Sequence, residues 1–73
     1  MEYKELVWVG REILINFKIC RTLNTISFNR KKLKVVLGKL QTHHLNYKYG
    51  TEEIELLQGM EGAMALEIEE VYQ

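Results

Sequence analysis

YKELVWVGREILINFKIC, residues 3–20, is the stretch on which the fold class turns, because it supports two readings. As a helix it gathers Tyr3, Leu6, Val9, Ile13, Phe17 and Cys20 on one face and leaves Trp8, Ile15 and Ile19 as a second, narrower apolar stripe on the other side. As strands, Gly10 and Arg11 supply a two-residue hairpin loop, and pairing around it places Leu6, Trp8, Ile13, Ile15, Phe17 and Ile19 on one face. The β-branched and aromatic content favours strands, whereas the scarcity of turn residues and the lack of a strong turn after Cys20 favour a helix. The balance falls on the helix. The expected fold is therefore mainly α, a compact three-helix domain, with a β-hairpin followed by two helices as the alternative.

The rest of the chain reads more simply. Breaks are expected at residues 24–27 and 46–50, leaving three segments and no repeat, linker or second-domain boundary. In the middle segment Leu33, Val36, Leu37, Leu40 and His44 recur on one helical face, and Ser27 is placed to cap its start. In the last segment Leu57, Met60, Met64, Ile68 and Val71 follow the same spacing, with Thr51 as the expected N-cap and Glu52 and Glu53 where a helix N-terminus favours negative charge. Gly59 and Gly62 are weak points of that helix or places of close approach to a neighbour.

Seventy-three residues allow one domain with a thin core, and an apolar content of 47% is well above that of a disordered chain. Such a core gains from self-association. The single cysteine, Cys20, cannot form an internal disulfide, and a secreted domain this small would need several, so a reducing, cytoplasmic location is expected. The first residues do not read as a secretion signal, and the apolar zone 6–20 is too short and too charged to span a bilayer, so no membrane role is expected.

Catalytic chemistry has little to work with. A nucleophile needs a hydroxyl or thiol beside a base, and the inventory is Ser27, read as a helix cap, Cys20, read as a small buried hydrophobe, and the adjacent His43 and His44. Neighbouring histidines on a helix point about 100° apart and cannot both face one ion, so no metal site is expected; His44 continues the apolar stripe and His43 is read as exposed. Gly38-Lys39 lacks the upstream glycine of a phosphate loop and is followed by Leu40 in place of a hydroxyl residue. No cofactor is implied, and the chain reads as a non-enzyme.

Charge is more informative. Residues 13–50 carry eight bases and no acid, and residues 51–73 carry seven acids and no base, so a net charge of zero conceals a strong division along the chain. The densest basic cluster is Arg30, Lys31, Lys32, Lys34 and Lys39, and Lys48 lies between Tyr47 and Tyr49, a pairing of cations with rings that suits nucleic acid. On a helix, however, these bases spread around the whole polar side as on an ordinary solvated face. A helix-turn-helix reading of residues 33–38 places Lys34 where a small residue belongs. The acidic segment, with Glu67, Glu69 and Glu70, can pair with the basic one or meet a partner.

The function expected from these features is that of a small binding or regulatory protein, an adaptor or inhibitor, acting on another protein and as a homo-oligomer. Small, neutral, motif-free chains include accessory and inhibitory factors, phage-encoded ones among them. The interaction residues expected are the apolar stripe Trp8, Ile15 and Ile19. Nucleic-acid binding through residues 30–39 is the alternative.

Overall fold

The computed structural model describes residues 2–47 and 50–72, and these form three helices: α1 (Tyr3–Ile19), α2 (Leu23–Tyr47) and α3 (Thr51–Tyr72). The stretch 3–20 is thus a helix followed by an extended Cys20, and the hairpin alternative is overturned. The reason lies in burial. Leu6, Gly10, Ile13 and Phe17 are spaced four, three and four apart and are the residues α1 buries, whereas the hairpin register would have put Trp8 and Ile15 on the buried side, and both are exposed. Glu5 in the first turn and Lys18 in the last complement the helix dipole, and the Cys20 N–H closes the helix on Asn16 O at 2.8 Å.

α2 begins earlier than the polar run 24–27 suggests. Thr22 caps it, its hydroxyl accepting the Thr25 N–H at 3.3 Å, so Ser27 is a residue of the helix body and not its cap. Ile26 and Asn29 extend the buried stripe of Leu33, Val36, Leu37 and Leu40 toward the helix start, and burial of Ile26 outweighs the loop preference of its neighbours. At the far end Gly50 takes φ +92°, a conformation that L side chains avoid, and its carbonyl accepts the Ile54 N–H at 2.9 Å. Gly50 therefore stands at the cap position expected for Thr51. The Thr51 hydroxyl instead lies 3.3 Å from His44 Nδ1.

The short connections turn the chain up, down and up again, so α1 and α3 run in the same direction on either side of α2. Arg11 meets Glu53 and Arg21 meets Glu67, an ascending order that confirms it. α2 packs extensively on both neighbours, and α1 and α3 touch more sparingly. They come close at Gly10, where an added Cβ would stand 2.6 Å from Leu57 Cδ1. Gly59 and Gly62 have no such neighbour, so the close approach expected of them belongs to Gly10.

The core draws on all three helices. Leu6, Ile13, Leu33, Leu40, Leu57 and Met64 are fully buried, each aliphatic side chain of this kind being worth about 1.5–3 kcal/mol relative to exposure. Ile68 is only partly buried and Val71 is exposed, so the stripe of α3 leaves the core near its end.

Candidate interaction surfaces

Directly opposite the face that α1 buries stand Trp8, Ile15 and Ile19, exposed to 68%, 54% and 78%. They are the expected stripe, and the described residues of the chain do not cover it. The Trp8 Nε1–H donates to Glu12 Oε1 at 2.9 Å, which holds the indole along the helix surface, and a shallow apolar depression lined by Lys4, Glu5, Trp8 and Val9 opens beside it. Exposing one large apolar residue is ordinary; aligning three on one face is the pattern of a contact surface.

The charge division is partly consumed inside the fold. All three arginines of the chain bind glutamates of α3: Arg11 to Glu53, Arg21 to Glu67 at 3.0 Å and Arg30 to Glu61 at 2.8 Å. Hydrogen bonding to Glu53, reinforced by its charge, raises the Arg11 pKa still further. Arg21 does more than pair. Its Nε donates to the Phe17 carbonyl at 3.1 Å and its guanidinium lies 4.6 Å from the Phe17 ring centroid, so it caps the end of α1 while tying it to α3.

Within the basic cluster Arg30 is therefore committed to Glu61, while Lys31, Lys32, Lys34 and Lys39 are exposed and make no ion pair among the described residues. Phe28 is 63% exposed, with the Lys32 ammonium 5.7 Å from its ring centroid. Lys48 and Tyr49 lie outside the described residues. In the acidic segment Glu67 is held by Arg21, and Glu69 and Glu70 are exposed.

The groups considered for catalysis sit apart. Cys20 and Ser27 lie at the start of α2 and His43 and His44 near its end; from Ser27 to His43 the helix rises about 24 Å. Cys20 is exposed, not buried, because α1 ends before its side chain reaches the core. Its thiol pKa is lowered, first by the Thr25 hydroxyl, with Sγ and Oγ1 3.7 Å apart, and then by the Thr22 backbone. His43 is partly buried with its ring edge-on to Tyr3 at 6.2 Å, which corrects its expected exposure; His44 is also partly buried.

Two features escaped sequence reading. Asn29 is buried in α2 with its Nδ2 unpartnered among the described residues, and only its place in the Ile26–Leu33 stripe signalled this. A shallow groove also runs between α1 and α3, lined by Leu14, Phe17, Leu56 and Met60 with Lys18, Arg21 and Glu55 along it, where the two helices part. No single segment could reveal it. No helix among the described residues is long and apolar enough to cross a membrane. Comparison with known protein families, curated proteins and solved structures returns no match.

Proposed function

We propose that this chain is a non-enzymatic binding protein, an adaptor or inhibitor that acts by pressing the outer face of α1 against another protein chain. The observation that carries this reading is the alignment of exposed Trp8, Ile15 and Ile19 opposite the buried face of the same helix. Water-exposed apolar surface of this extent gains free energy when a partner covers it, at about 25 cal/mol per Å². The separation of Cys20 and Ser27 from the histidines supports the non-enzymatic part.

The test is photo-crosslinking from position 15 or 19 in cells, comparing wild type with Trp8→Glu. A crosslinked protein chain that disappears in the folded Trp8→Glu variant is expected. Crosslinks indifferent to Trp8 would refute the reading.

A second reading rests on α2, where Lys31, Lys32, Lys34 and Lys39 make no ion pair among the described residues and the Lys32 ammonium lies by the exposed Phe28 ring. Such a surface fits an unpaired nucleic-acid strand, with Phe28 stacking and the lysines meeting phosphate. Binding of a single-stranded oligonucleotide that falls steeply with salt and is lost in Phe28→Ala would support it. Absence of binding at low salt would remove it.

A further inference from the structure

The outer face of α1 is organised in three rows, and the rows say what kind of surface would cover it. Trp8 and Ile15, seven residues apart, form the middle row. Lys4, Arg11 and Lys18, again at steps of seven, run along one flank, and Glu5 and Glu12 run along the other, with Ile19 taking the next step. All eight side chains are exposed. Seven residues make two turns of helix with a drift of about 20°, which a neighbouring helix follows by crossing at a shallow angle. The face is therefore shaped for a second helix lying nearly along it, apolar in the middle, acidic opposite the basic flank and basic opposite the acidic one.

The first helix of another copy of this chain has that pattern, in one orientation only. A two-fold axis parallel to α1 turns the basic flank of each copy onto the acidic flank of the other, setting Lys4 beside the partner's Glu5 and Arg11 beside the partner's Glu12. A two-fold axis perpendicular to α1 brings like flank to like flank, Lys4, Arg11 and Lys18 against the same three side chains, and is repulsive. The described residues of α2 and α3 leave the outer face of α1 uncovered, and the long axis of the 40 × 19 × 16 Å molecule runs with the helices. The depression beside Trp8 offers space for an apolar side chain from across the axis.

We propose that two copies associate through α1 as a parallel, two-fold symmetric dimer, with Trp8 and Ile15 along the seam and opposite charges paired on both sides. This rests on the reading of the α1 face as a protein-binding surface and names the chain that occupies it. Arg11 already engages Glu53 and Glu12 already accepts the Trp8 indole N–H, so Lys4 and Glu5 supply the uncommitted pair on each side of the seam.

Sedimentation equilibrium of the purified protein across micromolar to millimolar concentrations should show a monomer–dimer equilibrium. Trp8→Glu and Ile15→Glu, each checked for retained helicity, should weaken it by at least about tenfold. Orientation is read from a single cysteine on the seam side of α1, Ile19→Cys in a Cys20→Ser background. In the parallel dimer the two introduced thiols lie at the same end of the seam and a short bismaleimide should join them, whereas an antiparallel arrangement centred between Arg11 and Glu12 holds them about 22 Å apart along the axis. Charge exchange supplies an independent check. Glu5→Lys in one preparation and Lys4→Glu in another should each self-associate weakly and recover association when mixed.

A dimer whose Ile19→Cys thiols do not crosslink, or whose charge-exchanged forms fail to complement, overturns the parallel arrangement. A protein that stays monomeric at millimolar concentration overturns the dimer. If a different protein is then photo-crosslinked in a Trp8-dependent way, the surface reading survives and only its occupant changes.

Discussion

Replacing Gly10 by alanine sets two effects of opposite sign against each other. In a helix interior alanine is favoured over glycine by roughly 0.5–1 kcal/mol, since glycine loses more backbone freedom on folding. Against that, the new methyl group would lie 2.6 Å from Leu57 Cδ1, 3.3 Å from Cδ2 and 3.5 Å from Cγ. Leu57 is fully buried among other core side chains, so it cannot swing into solvent; α1 and α3 must separate or Leu57 must leave its rotamer. Overpacking of this kind costs about 1–3 kcal/mol, which leaves a net loss of about 1 kcal/mol and a fall in Tm of about 4–8 °C for a domain of this size. Gly38 and Gly59 provide the control, because an added Cβ meets nothing within 4 Å at either. Gly38→Ala and Gly59→Ala should each raise Tm by a few degrees, and among these three positions the sign should reverse only at Gly10. In a Leu57→Ala background, where the methyl group enters space the leucine has left, Gly10→Ala should become stabilising. Thermal melts followed by far-UV circular dichroism measure all four. If Gly10→Ala stabilises wild type as much as Gly38→Ala does, the contact between α1 and α3 is not as close as described and the reasoning fails.

Other perturbations test separate parts of the fold. Asn29→Val removes a buried amide donor without a partner, and should stabilise by about 1–2 kcal/mol, read as a higher urea midpoint at unchanged m-value. Glu61→Gln should cost about 0.2–1 kcal/mol at low salt by breaking the pair with Arg30, and less as salt is added; Glu70→Gln, at an exposed carboxylate without an ion pair among the described residues, should leave Tm unchanged. Because the Cys20 pKa is lowered, its thiolate forms at lower pH than that of an ordinary thiol, so the pH midpoint of alkylation should lie below that of a free cysteine and move up in Thr25→Val. An unchanged midpoint in Thr25→Val would remove the hydroxyl as the cause.

Much of this architecture was legible in residue spacing alone. The stripes Leu33 to Leu40 and Leu57 to Met64 identify buried helical faces because a side chain's direction on a helix follows directly from its position in the chain. The same periodicity separated Trp8, Ile15 and Ile19 from the core face of α1, so the candidate surface could be named before any coordinates. Charge counting likewise showed that α3 would be the acidic element. Tertiary structure decided whatever depends on which residues of different helices meet. Gly10, half of a hairpin loop in the alternative reading, is a helical residue that lets Leu57 approach, and Ser27, a cap on local evidence, lies inside α2 because Ile26 and Asn29 are needed on the buried face. The partition of charge between arginines held by α3 and lysines left in solvent, and the exposure of Cys20, also rest on contacts between residues up to 46 positions apart. Periodicity fixes the direction of each side chain around its own helix axis; only packing three axes together decides what that direction faces.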